Sequence, residues 1–182
     1  VETLGSTTVI LTDKTGTLTE NKIFVNTLSF PEESKRVVIE NNTLRFTEGE
    51  IEKSKENFEK RKLVGTLCND ASLTPSDAKT KTLGDPIEVA LLQFANSSGT
   101  PAEDLKARHE RISEIPFNSV DKIMGTLHIH STGNFVAAKG SVEHLLNRCL
   151  KIQTGENIKE LGDKEKQSIL SESEKMASQG LR

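Results

Sequence analysis

The sequence has no tryptophan, no tyrosine and only seven phenylalanines in 182 residues, so aromatic packing rests on seven rings. Its two cysteines, Cys68 and Cys149, stand far apart and form no C-x-x-C pair. That excludes a disulfide framework and a thiolate zinc site, and it fits a reducing cytosol. Long apolar runs are missing as well. The longest, Val89 to Leu92 and Phe135 to Ala138, have four residues, whereas a membrane-spanning helix needs about 20. There is no excess of one charge: 24 Lys+Arg against 27 Asp+Glu give a net charge of −3. Without a basic footprint no nucleic-acid partner is expected. Val1 to Gly5 has neither the basic end nor the apolar stretch of a secretory signal, and no initiator Met. The chain reads as a piece of a longer protein, one domain with a short part of another.

What is present is a polar, soluble balance, 34% hydrophobic and 28% charged. Thr7 to Thr12 is apolar and β-branched without alternation, which predicts a short buried strand of parallel type. Lys22 to Phe30 reads as extended, and Pro31-Glu32-Glu33-Ser34 as a polar boundary. Arg36 to Ile39 and Thr43 to Phe46 flank Glu40-Asn41-Asn42, the pattern of a hairpin with positive φ in its turn. Thr47, Asp85 and Thr100 each precede a Glu by three residues and predict helix caps, the last two with proline at the first helical position. Ile87, Ala90, Leu91 and Phe94 form one helical stripe. Alternation from Ile123 to His130, followed by Phe135 to Ala138, predicts a second hairpin. Helices are predicted from about Ser141 to Cys149 and from about Asp163, with a polar stretch between them. Strands and helices mix without strict alternation, so the expected fold is α/β of the α+β type, an antiparallel sheet flanked by helices. His128 and His130 lie two apart on a strand with no further ligand cluster, and are expected to be solvated rather than metal-bound.

The chemistry concentrates in Asp13-Lys14-Thr15-Gly16-Thr17-Leu18-Thr19. A carboxylate at the C-terminal end of a buried strand stands where α/β sheets bind ligands, and it can attack a phosphoryl group to form an aspartyl phosphate. Gly16 permits a tight turn, while Lys14 and the threonines supply charge and hydroxyls. An Asx-type turn would be the bland alternative for a lone D-x-x-G.

These seven residues resemble the phosphorylation signature of the P-type cation-transporting ATPases. The resemblance continues through Cys68-Asn69-Asp70, Gly84 to Leu91, Ile115 to Lys122, Lys139 to Glu143 and Gly180-Leu181-Arg182, in the order of the nucleotide-binding-domain landmarks of the calcium and sodium/potassium branch. The resemblance implies residues 1–21 as strand and loop of an incomplete phosphorylation domain, and 22–182 as the nucleotide-binding domain. It further implies ATP and Mg2+ as cofactors, Asp13 as nucleophile with Lys14 and Thr15, and Asp13 and Thr15 as magnesium ligands in the parent protein. Phe117 corresponds to the ring that stacks on adenine; its other reading is a core phenylalanine. Lys122 and Lys139 correspond to pocket lysines, Gly140 to a close approach of backbone to ligand, and Arg182 to the arginine that reaches phosphates or ribose. Glu88 corresponds to the carboxylate near the adenine amino group. It is equally the reciprocal member of a capping box on Asp85, and both readings stay open.

Ser119 stands where sarcoplasmic-type calcium pumps carry arginine, and Ser141-Val142 where Ala-Pro is common. The His-Pro dipeptide of heavy-metal pumps is absent, which argues against copper or zinc export. The implied function is that of the cytosolic ATP-binding domain of an integral membrane pump that couples ATP hydrolysis to cation transport, calcium being the assumed ion. Its partners would be the phosphorylation, actuator and transmembrane domains, and only those missing parts would touch a membrane. These residues alone would bind ATP without hydrolysing it. A haloacid-dehalogenase-type phosphatase or phosphotransferase fragment, or a non-catalytic interaction domain, are the alternatives.

Overall fold

The computed structural model describes residues 8, 9, 11, 12, 17, 19, 20, 22–31, 33–49, 55–74, 80–130 and 133–181. Asp13, Lys14, Thr15 and Arg182 therefore lie outside the described residues. Of the expected first strand, Thr8, Val9, Leu11 and Thr12 are described and form none. Val9 and Leu11 are 69% and 94% exposed, and among the described residues no strand pairs with them.

The first sheet joins β1 (Thr27–Ser29), β2 (Ser34–Glu40) and β3 (Thr43–Phe46) in the order β1-β2-β3. Asn41 and Asn42 take φ of 51° and 60° between the paired residues Glu40 and Thr43, a left-handed turn that matches the twist of the flanking strands. The polar stretch after Phe30 is no boundary. The Phe30 N–H donates to the Glu33 carbonyl at 2.7 Å and Ser29 faces Ser34, so it connects a hairpin. Leu28, Phe30 and Val37 bury their side chains against Phe94. Phe58 stands edge-on to both Phe46 and Phe94, with centroids 5.9 and 5.6 Å away, contacts that contribute about 0.5–1.5 kcal/mol each beyond burial.

Three helices follow the sheet: α1 (Lys55–Leu67), α2 (Pro86–Ser97) and α3 (Ala102–Arg108). Between the first two lies a short hairpin of β4 (Ser72–Thr74) and β5 (Lys81–Leu83). Asp85 caps α2 as expected, accepting from the Ile87 N–H at 2.8 Å with Pro86 behind it. Thr47 is no cap. Its N–H prolongs the ladder to the Arg36 carbonyl, and Gly49 turns away at φ 62°. Thr100 is not a cap either. Its hydroxyl accepts from buried Lys62 at 2.9 Å, and the Asn96 side chain accepts instead from the Ala102 N–H at 2.7 Å. A buried ammonium needs its partners more than a helix end does, because the helix end has other acceptors to draw on.

The second large sheet joins β6 (Arg111–Ile115), β7 (Ile123–His130) and β8 (Gly133–Gly140), again as neighbours in sequence order. β7 and β8 are the predicted hairpin. α4 (Val142–Leu146), capped by Ser141, is shorter than expected. The polar stretch after it folds into an unpredicted hairpin, β9 (Lys151–Thr154) with β10 (Asn157–Glu160), before α5 (Asp163–Ser178). Among the described residues every strand pair is antiparallel, in keeping with the expected α+β fold, and the strands form four small sheets rather than one.

On β7 the buried set is Met124, Thr126 and His128, and not the more aliphatic Ile123, Leu127 and Ile129. Met124 closes with Leu67, Cys68 and Ala137 into the core between α1 and the sheet. His128 is thus a core residue and not a solvated one. Its Nε2 lies 2.8 Å from the Thr126 hydroxyl, its Nδ1 lies 3.2 Å from the His109 carbonyl, and its ring stacks on Phe135.

Burial lowers the pKa of His128, against an opposing hydrogen bond to the His109 carbonyl. The unfolded chain therefore takes up this proton first as pH falls. Stability is full above the unfolded value of about 6.5 and declines as pH drops through it. Thermal melts between pH 7.5 and 5.5 should show this decline, with a shallower slope in His128→Asn. Equal slopes in the two proteins would show that His128 contributes nothing to it.

Candidate functional site

The expected site residues gather at one end of the β6-β7-β8 sheet. In the ladder, Met124 faces Lys139 and Ile123 faces Gly140, while Ile115 on β6 reaches Gly125. Directly opposed residues share a face, so Lys139 continues the inner row of Phe135 and Ala137 toward the place where α1 ends. There it meets α2: the Lys139 ammonium donates to Oε1 of Glu88. Both side chains are largely buried, with 23% and 12% exposed. The expected pocket lysine Lys139 is thus committed to this pair.

Glu88 has a second partner, the Asp70 N–H, which donates to Oε2 at 3.2 Å. No bond to Asp85 closes a capping box; the Glu88 carboxylate is taken instead by the Asp70 N–H and by Lys139 of β8. The backbone around it is fixed by Asn69. The Asn69 amide donates to the Gly65 and Glu88 carbonyls at 3.0 and 2.9 Å, and its oxygen accepts from the Ala71 N–H at 2.9 Å. Gly84 passes so close that a Cβ there would stand 2.7 Å from the Ala71 methyl. Cys68 beside it is buried with its thiol 3.5 Å from the Met124 carbonyl, and burial raises its pKa, so it is packing and not a nucleophile.

The connection from β6 to β7 carries Phe117 and Lys122. Phe117 is not a core residue: it is 59% exposed. Asn118 orders the loop, accepting from the Val120 and Asp121 N–H groups at 3.0 and 2.7 Å and donating to the Asp121 carboxylate at 2.9 Å. Lys122 closes it at φ 50°, a left-handed conformation that a long side chain adopts at a cost of about 1–3 kcal/mol. The Lys122 carbonyl accepts from the Ser141 N–H at 3.0 Å. A Cβ on Gly140 would lie 2.2 Å from that carbonyl, so glycine is required by the approach of the protein's own backbone.

Five sequence-predicted residues, Glu88, Phe117, Lys122, Lys139 and Gly140, thus belong to one sheet end and the helix facing it. Asp13, Lys14, Thr15 and Arg182, and with them the expected magnesium ligands, are outside the described residues. Among the described residues no group of three or more His, Cys, Asp or Glu is placed to hold a metal ion. Neither the cavity of about 600 Å³ beside Phe46 and Phe58 nor that of about 660 Å³ between Phe30 and Met176 is lined by the five residues. Sequence reasoning missed the supporting roles of Asn69, Asn118 and Arg111. An Asn three residues before Asp121 is a readable turn signal, as is an Asn two residues before the Ala71 N–H it accepts from; the bond of Asn69 to the Glu88 carbonyl, 19 residues away, and those of Arg111 to the Leu67 and Asn69 carbonyls, 44 and 42 residues away, leave no such mark.

The sequence profile described as "P-type ATPase, cytoplasmic domain N" matches residues 57–182. The whole chain is similar to calcium-transporting ATPase 1 of Lactococcus lactis, 34% identical over 185 residues that make up 19% of that protein. It is also similar to the probable cation-transporting ATPase F of Mycobacterium tuberculosis, 35% identical over 188 residues that cover all of this chain and 21% of the relative. The sodium/potassium-transporting ATPase subunit alpha-A of Artemia franciscana is 33% identical over 159 residues, 84% of this chain and 16% of the relative. The chain spans about a fifth of the length of these curated relatives. The profile begins inside α1 and takes in both the Asn69 turn and the Phe117 loop, so the elements that build this sheet end are those of a known domain: the chain belongs to the P-type cation-transporting ATPases and carries their cytoplasmic domain N.

Proposed function

We propose that this chain holds ATP for a cation-transporting P-type ATPase, with the base between Phe117 and Glu88 and the phosphates running past Lys122 and Lys139, Arg182 being carried over from the resemblance as a further phosphate or ribose contact. The observation that carries the reading is Phe117, a large ring left 59% exposed on a loop that Asn118 holds in place. Packing alone gives no reason to order an exposed phenylalanine, whereas a base stacked on it would contribute roughly 1–3 kcal/mol. Glu88 also retains capacity. A carboxylate has about four lone-pair sites, and the Asp70 N–H and Lys139 leave room for an amino group. The two lysines supply positive charge at the same sheet end.

In the whole protein, domains 1–21 and 22–182 would belong to one phosphoryl-transfer site. An oxygen of Asp13 would bond the γ-phosphorus as the bond to the bridging oxygen breaks, leaving aspartyl phosphate and ADP. Lys14 would offset charge there. Mg2+, held by Asp13 and Thr15 with the rest of the pump, would supply charge neutralisation to the transferring group. Hydrolysis of that phosphate would drive cation transport by a membrane part, with this domain on the cytosolic side. Calcium is the ion we carry over, from the name of the Lactococcus lactis relative.

ATP titration tests the reading. Phe117→Ala should weaken binding between several-fold and about a hundredfold, the range that loss of one base stack implies. Equal affinities by calorimetry would remove Phe117 from the site, and no binding by either protein would support an interaction domain instead.

Lys139→Ala should weaken ATP binding too, and it should also destabilise the fold. It leaves the Glu88 carboxylate with only the Asp70 N–H, a loss of about 1–3 kcal/mol for a charged hydrogen bond. A second change, Glu88→Gln, should recover part of that stability. Melts and titrations of the three proteins decide it: a single mutant that melts and binds like the original chain removes Lys139 from both roles.

A further inference from the structure

Glu88 is set from outside its own helix, by the Asp70 N–H, and the segment carrying that N–H is itself gripped from β6. The Arg111 guanidinium donates through Nη2 to the Leu67 and Asn69 carbonyls, both at 2.8 Å, and through Nη1 to Asp70 Oδ1 at 2.7 Å and Glu114 Oε2 at 2.8 Å. The carbonyls at a helix C-terminus lack intrahelical partners and form its negative end, and a planar fork of donors suits several oxygens at once better than an ammonium does. The register of β6 explains how one side chain reaches them. Arg111 pairs with His128 and Ser113 with Leu127, with a register shift between them. An inserted residue of this kind re-aims its neighbours. Because of it Arg111 and Glu114, three apart, stand opposite His128 and Thr126 and so share the inner face of the sheet, where α1 ends.

We propose that Arg111 is a positioning residue that fixes the Glu88 carboxylate through the Asn69–Asp70 backbone and thereby sets the preference for the nucleotide base. The preference rests on the reading that Glu88 meets the base; the hold of Arg111 on Glu88 does not. A Glu88 oxygen can accept from the 6-amino group of ATP, which ITP lacks. Loosening Asp70 should therefore weaken ATP binding more than ITP binding.

The experiment measures both affinities, and the Glu88 side-chain carboxyl 13C signal of the ligand-free chain, in the original protein, Arg111→Met and Arg111→Lys. The ATP-to-ITP preference should fall about three- to tenfold in Arg111→Met, the range of one hydrogen bond, and lie between the two in Arg111→Lys. The Glu88 signal should move in the same order. Parallel loss of ATP and ITP affinity with an unmoved Glu88 signal would make Arg111 a structural residue and overturn the proposal. If the original chain binds ATP and ITP alike, the base reading of Glu88 fails, and the carboxyl signal decides the rest: movement supports the hold of Arg111, none refutes it. Should Arg111→Met not fold, Arg111→Lys supplies the same ratio and signal.

Discussion

The meeting of Glu88 and Lys139 constrains the rest of the structure, because it joins α2 to β8 across 51 residues of sequence. α2 supplies the carboxylate and β8 the ammonium, and neither could be so far out of water without the other. For the pair to form, β8 must run past the end of α1 and α2 must start beside the Asn69 turn. Asn69 fulfils the second condition by bonding to both α1 and α2. The inner row Phe135, Ala137, Lys139 fulfils the first, with the row turning from apolar to charged where α1 no longer covers it. The sheet end is polar because the helix stops.

The phenylalanines divide in the same way. Phe30, Phe46, Phe58 and Phe94 lie in or against one core, joined through the edge-on contacts of Phe58, and Phe135 packs against the core between α1 and the second sheet and stacks on His128. Phe24 and Phe117, 61% and 59% exposed, have no such partner among the described residues, and Phe117 is nevertheless held in an ordered loop. The chain also places Lys122 at positive φ and a glycine against its carbonyl. The exposed ring and the positive φ of Lys122 fall in one connection, and backbone strain of this kind tends to collect at functional sites.

Much of this was legible in the sequence wherever the signal was local. The Asn41-Asn42 turn, the Asp85 cap and the β7–β8 hairpin depend on neighbours a few residues apart, and they were read correctly. The inner face of β7 shows the limit. Ile123, Leu127 and Ile129 look like the core by composition, yet Met124, Thr126 and His128 are buried, because Thr126 and His128 satisfy each other and the His109 carbonyl. Hydrophobicity chooses a face only when the polar alternative is left unpaired. Thr100 was misread for a related reason: its partner, Lys62, lies 38 residues away. The β9–β10 hairpin carries only Ile152 and Ile158 as strand signals, with Gly155 at φ 56° the one clear turn mark. The candidate site residues were legible through their motifs and the family they resemble. Their mutual geometry was not, since pairing across 51 residues between Glu88 and Lys139 has no trace in either local pattern.

Arg111 carries this argument one step further. A bulge costs a ladder bond and would be removed if the edge strand served only to extend the sheet. Here it brings Arg111 and Glu114 to one face, and the arginine then donates to the Asn69 carbonyl and to the Leu67 carbonyl, which the Thr126 hydroxyl otherwise reaches only at 3.5 Å. The same guanidinium therefore serves stability and placement together: the helix end it satisfies is the segment whose next N–H holds Glu88. Substituting a lysine keeps the charge but not the fork, so charge alone would preserve attraction to Asp70 while releasing the carbonyls. Orientation, which needs several bonds at fixed angles, is lost before stability is.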